Sequence, residues 1–176
     1  EWAGRAKEVH DIAVRTFGKS RHVILCGYGR SGQNLARILE TEGISYIALD
    51  ADPERIKAVA ASGVSVVYGD ASRREVLAML TGEVLVAAGL SRAQAVVVTY
   101  SDVKSSMAIL RHVRELKPEL PVVVRTIDDT HIDALKEAGA AEVVSEIMEG
   151  SLMLGSHALM LLGVPLAQVL RRIREV

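Results

Sequence analysis

An α/β chain with a doubly wound parallel sheet of about six strands is the fold class this sequence predicts, and three observations predict it. The first is the run His22 to Gln33. Apolar Val23 to Cys26 lead into Gly27-x-Gly29-x-x-Gly32, and Leu35, Ala36, Ile38 and Leu39 follow at helical spacing. The second is Asp50, at the end of a second apolar run and about 20 residues beyond the glycines, where the fingerprint of a nucleotide-binding strand-turn-helix expects an acid. The third is the alternation of short apolar runs with helical periodicity up to residue 145. Parallel strands need a crossover, usually a helix, where antiparallel strands need only a hairpin.

The glycine loop carries the first functional expectation. Gly27 permits the tight turn, Gly29 lets backbone approach a phosphate, and Gly32 lets the helix pack close to the strand. The helix N-terminus then offers unpaired N–H groups and a positive dipole end to an anion. The expected fold is therefore Rossmann-type, with an N-terminal linker helix over 1–20, a nucleotide-binding domain over 21–145 and crossover helices over 146–176.

Composition bounds the rest. A chain of 176 residues with 49% hydrophobic and 3% aromatic content builds an aliphatic core. A net charge of −1 gives no electrostatic case for nucleic acid. One cysteine forms no internal disulfide. No apolar run approaches the roughly 20 residues of a membrane span, and no signal-peptide pattern opens the chain. The first residue is Glu1 rather than Met, which predicts a piece of a larger protein.

Taken in order, Trp2, Ala6, Val9, Ala13 and Phe17 mark one face of a first helix, a face for its own domain or for docking elsewhere. The strand Val23 to Cys26 is followed by a helix from about Arg30 to Glu42, stopped by Gly43. A second strand, Ser45 to Leu49, ends in Asp50. Asp52-Pro53-Glu54 reads as a cap and acidic first turn opening a helix through Ile56, Val59 and Ala60 to Gly63. Val64 to Tyr68 is a third strand. Residues 72 to 90 are helical, and Glu75 to Gly82 is echoed by Glu83 to Leu90 as a local duplication. Gln94 to Thr99 and Pro121 to Arg125 are the fourth and fifth strands, separated by a helix through Met107, Ile109, Leu110 and Val113 to Leu116. A helix over Asp128 to Ala138 and a short strand Glu142 to Val144 follow. From Ile147 to Leu162 the chain is apolar on nearly every side, so this helix must be covered on more than one face, a second subunit being the expected cover. A last amphipathic helix runs from Leu166 to Val176.

The chemistry falls at the carboxyl ends of the strands. Asp50 is placed to accept hydrogen bonds from an adenosine ribose, and it would repel a 2′-phosphate. Arg30 can fork onto a phosphate or carboxylate or stand solvated, and Ser31 can add a hydroxyl. Asp70 either accepts from an adenine amino group or caps the next helix. Thr99, Tyr100 and Ser101 end the fourth strand along the path of a dinucleotide. Arg125 ends the fifth and points to the cleft or an interface. Cys26 reads as a core thiol. The five histidines show no ligand spacing, and His131 among Asp128, Asp129 and Asp133 reads as a solvated helix start, so no metal site is expected. Tyr100 and Lys104 have the spacing of the dehydrogenase pair, without its usual position on a helix.

With these residues in place the chain resembles the RCK or KTN nucleotide-binding regulatory domain, of the TrkA-N type. The resemblance runs from about Arg21 to Pro165, on Gly27-Tyr28-Gly29-Arg30-Ser31-Gly32-Gln33, Leu49-Asp50-Ala51-Asp52-Pro53, Tyr68-Gly69-Asp70-Ala71-Ser72 and Glu137-Ala138-Gly139-Ala140. The tail Glu149-Gly150-Ser151-Leu152 through Leu161-Leu162-Gly163-Val164-Pro165 is similar to the helix that crosses between subunits in these domains. Among them the chain is most like the cytosolic domains of Kef-type monovalent cation:proton antiporters.

The resemblance implies a homodimer on the cytoplasmic face of a membrane, joined to a transporter domain of the same chain. It implies NAD(H) or AMP as regulatory ligand, and it adds Tyr28, Ala51 and Ala71 to the site. It also implies a second anionic ligand, glutathione or an adduct, for which Arg30 and Arg125 are the available positions. The chain departs from the Kef pattern at Ile127, where a second arginine is expected, and in the extra turns of 75 to 90. Both departures weigh against glutathione and leave nucleotide binding as it stands. The rival readings are an RCK domain of a potassium channel or Trk-type uptake system, and an NAD-dependent oxidoreductase. The latter needs a substrate domain and a positioned acid or base, and no catalytic residue is assigned.

Overall fold

Alternating apolar runs become a six-stranded parallel sheet in the order β3-β2-β1-β4-β5-β6. The computed structural model describes residues 2–60, 66–68 and 83–175. The strands are β1 (Val23–Cys26), β2 (Tyr46–Asp50), β3 (Val66–Tyr68), β4 (Ala95–Val98), β5 (Val122–Thr126) and β6 (Glu142–Ser145). The helices are α1 (Trp2–Thr16), α2 (Arg30–Thr41), α3 (Pro53–Ala60), α4 described over 83–87, α5 (Val103–Leu116), α6 (Ile132–Glu137), α7 (Glu146–Leu161) and α8 (Leu166–Arg174). The start of the third strand at 64–65, the residues Asp70 and Ala71, and the first copy of the duplication lie outside the described residues.

Side chains alternate across the strands, and the two faces of the sheet have separate cores. Ile24, Cys26, Ile47, Leu49, Val96, Val98, Val122 and Val124 face α1, α4, α5 and α6, through Ile12, Leu85, Ile109, Leu110, Val113 and Leu135. Val23, Leu25, Tyr46 and Ala48 face α2, through Ala36 and Leu39. The second face is closed over β1 and β2 and open on the side of β4, β5 and β6. Val97 and Val123 are half-buried there, and Val144 is exposed.

Three expectations are corrected. The first helix packs through Ile12 and Thr16, one turn apart and both fully buried, whereas Phe17 from the expected apolar stripe is 89% exposed. Val9, Ala13 and Phe17 instead line a groove with Val86, Ala87 and Leu116. The helix expected to reach Leu90 is helical only to residue 87, because Gly89 turns left-handed (φ 76°) and starts a 3-10 turn over Leu90–Arg92. The helix expected from Asp128 begins at Ile132. The Asp128 carboxylate accepts from Thr130 N (3.0 Å), a local turn that competes with the first helical turn. Helix α7, for which a second subunit is the expected cover, buries only Ser156 within this chain.

Candidate functional site

The loop after β1 is held from three sides. Gly27 N donates to Leu49 O (2.8 Å) and Thr99 N to Cys26 O (2.8 Å), which carries the sheet pairing one residue past the strands. Gly27 has φ 104°, and a Cβ there would lie 2.4 Å from Thr99 Oγ1. A Cβ on Gly32 would lie 2.1 Å from Gly27 O. Both glycines are therefore demanded by the protein's own packing. Gly29 is different. It has an ordinary extended backbone (φ −72°, ψ −164°), and a Cβ there would meet nothing within 4 Å. Nothing inside the described chain requires a glycine at 29, and the space over it suits a group brought from outside.

The same position begins α2. Helices α3, α5 and α7 open on Asp52, Asp102 and Ser145, whose side chains accept from their first-turn N–H groups. Helix α2 opens on Gly29 with no side-chain cap and no acid in its first turn. Its donors and dipole are left for an anion. Arg30 is the first residue of α2 and is exposed, without an ion pair among the described residues. Ser31 beside it is half-buried.

Asp50 lies across from this loop. It ends β2, its side chain is 2% exposed, and its carboxylate ties three segments together. Oδ2 accepts from Tyr28 N (2.6 Å) and from Arg55 Nη1 (2.8 Å), and Oδ1 accepts from Asp52 N (2.8 Å). Asp52 is the helix cap the sequence implied, with Oδ1 accepting from Glu54 N (3.0 Å) and Arg55 N (3.4 Å). Ala51 lies between the two acids and is half-buried.

Tyr28 reaches the site through its backbone only. Its ring is buried below α2 with Leu39 and Tyr46, where burial pushes the phenol up. Gln33 Nε2 donates to Tyr28 O (3.1 Å) and fixes the loop from the helix side.

The end of β4 forms the floor. Thr99 Oγ1 donates to the carbonyl pair Gly27 O (3.0 Å) and Cys26 O (3.2 Å). The Tyr100 ring lies against Gly27. Burial, and the nearby Asp50 carboxylate, push its phenol upward. Lys104 is exposed with its backbone N on the Asp102 cap. Ser101 is exposed at the mouth.

Arg125 reaches back from the next strand. Nε and Nη2 donate to Thr99 O (3.1 and 2.9 Å), and Nη1 pairs with Glu146 in the first turn of α7. Three of its five N–H donors are thereby engaged, and it braces the end of β4 against α7. Ile127 is exposed and offers no charge there. Burial pushes the Cys26 thiol up to about 12, an inert core thiol. Among the described residues no cluster of His, Cys, Asp and Glu has the geometry to hold a metal.

The structure thus places Gly27, Gly29, Arg30, Ser31, Gly32, Asp50, Ala51, Thr99, Tyr100, Ser101 and Arg125 along the carboxyl edge of the sheet, at the ends of β1, β2, β4 and β5. Asp70 and Ala71 lie outside the described residues. Sequence reasoning missed Arg55. Its signal was a cation three residues past the Asp52 cap, within reach of whatever acid ends β2.

The TrkA-N domain model matches residues 23–146. Over 177 positions the chain is 37% identical to a putative K(+) efflux antiporter KefB of Alkalimonas amylolytica, covering 99% of this chain and 25% of that protein. The Kef CTD of Shewanella denitrificans, solved in AMP-bound form, superposes with a TM-score of 0.68 at 30% identity, covering 87% of this chain and 88% of that one. The GsuK channel bound to NAD superposes with a TM-score of 0.64 at 20% identity, over 80% of this chain and 23% of that one, a likeness of fold alone. The chain spans about a quarter of the length of the curated relatives it matches.

Proposed function

The chain belongs to the TrkA-N domain family, and from that membership we propose that it is the nucleotide-sensing regulatory domain of a monovalent cation antiporter of the Kef type. It binds AMP or NAD(H) in the cleft over Gly29 and acts as a ligand sensor rather than an enzyme. The observation that carries the reading is the pair Gly29 and Asp50. An open, uncapped helix start for a phosphate faces a buried carboxylate for a ribose, the two halves of a nucleoside monophosphate. The AMP-bound Shewanella relative supports the same ligand. The brace from Thr99 through Arg125 to Glu146 gives the cleft a path to α7.

The working unit is a homodimer on the cytoplasmic face of the membrane, gating the transporter to which it is joined. Support comes from α7 and its C-terminal end, where Ile147, Met153, Leu154, Leu161 and Leu162 are exposed, from α8, where Leu166 and Leu170 are exposed, and from the half-open second face of the sheet. Large apolar side chains exposed in number mark an interaction site. No helix among the described residues is long and apolar enough to cross a membrane. Regulation is by population shift. A nucleotide that binds one dimer arrangement tenfold better than another contributes about 1.4 kcal/mol per site. Glutathione as a second ligand is not part of this reading, given the uncharged, exposed Ile127.

Native mass spectrometry after incubation with AMP and NAD(H) tests the reading. The expected spectrum is a dimer carrying one nucleotide per chain. A monomer without adduct at millimolar nucleotide would overturn it.

A further inference from the structure

Resting on the nucleotide reading above, we propose that Arg55 is a latch on the ribose acceptor, displaced from Asp50 toward Asp52 by the ribose diol of a bound adenosine nucleotide. A carboxylate offers roughly four lone-pair positions, and three on Asp50 are filled by Tyr28 N, Asp52 N and Arg55 Nη1. Two of these donors are backbone. Tyr28 N belongs to the glycine loop and Asp52 N to the turn that caps α3, so neither withdraws without undoing its turn. Arg55 is a long side chain, 38% exposed, and its Nη2 is already 3.5 Å from Asp52 Oδ2.

A ribose presents two neighbouring hydroxyls and needs two acceptor positions. One is free, on Oδ1. The second opens on Oδ2 only when Arg55 leaves. Asp52, 46% exposed, is its waiting partner, so the guanidinium stays paired throughout the exchange. Because Asp50 is buried, each hydrogen bond gained or lost there counts for more than it would in water. Arg55 therefore sets the affinity for the diol by competing with it, and the first turn of α3 reports whether the site is filled.

Calorimetric titration of the 176-residue chain with AMP, 2′-deoxy-AMP and 3′-deoxy-AMP tests the latch. Arg55→Ala opens the second acceptor in advance. AMP should then bind roughly three- to tenfold more tightly, in the range of one modest hydrogen bond. The preference for AMP over the weaker deoxy analogue should grow by the same factor. Asp52→Asn keeps a capping side chain but removes the charge that receives Arg55, so AMP should weaken about threefold or more. Opposite signs in the two variants are the signature. AMP binding that is unchanged or weaker in Arg55→Ala overturns the latch while leaving the nucleotide reading intact, and absence of AMP and NAD binding by the unaltered chain overturns both. Should Arg55→Ala fail to fold, Asp52→Asn decides alone, and unchanged AMP affinity there contradicts the proposal.

Discussion

Around β1 and β2, Ile24, Leu25, Ile47 and Ala48 are wholly buried, whereas in the tail Leu154, Leu161 and Leu162 are exposed at 74%, 89% and 80%. The same aliphatic residue types meet opposite fates within one chain. On the sheet, period-two alternation gives each side chain a helix to pack on. On α7 the apolar residues run all round the helix, and this chain supplies little beyond α8 to cover them, with Val169 the buried contact. The polar groups differ in parallel. Asp50, Thr99 and Arg125 in the cleft are each bonded to backbone or to a partner side chain, while α7 buries a single hydroxyl, Ser156 on Leu152 O. The cleft half is built to be finished by a small polar ligand, and the tail half by apolar surface.

Gly32→Ala should break the cleft half most severely. Its Cβ meets backbone at 2.1 Å, and the collision should cost about 3 kcal/mol in urea unfolding. Next, Leu154→Glu with Leu161→Glu should convert a dimer to a monomer in sedimentation, raising the dissociation constant by at least about a hundredfold, or roughly 2.7 kcal/mol. The melting of the sheet should hardly move. Loss of fold in that double variant would mean that the two halves are not separable. Gly29→Ser should leave stability within a few tenths of a kcal/mol, since serine caps a helix at least as well as glycine, yet place a side chain where the phosphate sits and remove nucleotide binding.

The smallest effect concerns pH. His22 is fully buried, its Nε2 donating to Ala88 O (2.7 Å) and its Nδ1 without a partner among the described residues. Burial lowers its pKa from the ordinary 6.5, although the Ala88 bond pulls the other way. The unfolded chain therefore takes up the proton first as pH falls. The stability His22 contributes is full above about pH 6.5 and declines below it toward the folded value. Melting temperature should fall between about pH 7 and pH 5.5, with a shallower slope in His22→Gln.

Much of the cleft was legible because its signals are local. A strand, three glycines, a helix and a terminal acid are fixed by backbone geometry over a few residues, and the Asp52 cap follows from one side chain and two N–H groups. The excess of apolar residues on α7 was legible for the same reason. What could not be read depended on how elements face one another. The inward turn of Ile12 and Thr16 requires the position of α1 on the sheet. The pairing of Arg55 with Asp50 requires the orientation of α3. The commitment of Arg125 to Thr99 and Glu146 requires three elements to meet. The late start of α6 is an intermediate case, decided by competition between an aspartate turn and a helical turn of similar strength.

Titration of AMP into the native chain and into Asp50→Asn, with thermal melts of both, tests the central claim most directly. Asparagine keeps the shape of the side chain and removes the charge that a ribose diol and the Tyr28 N–H use together. The account predicts AMP binding by the native chain, binding weakened about a hundredfold or more in the variant, and a variant that still unfolds cooperatively. Equal affinity in the two proteins would contradict it.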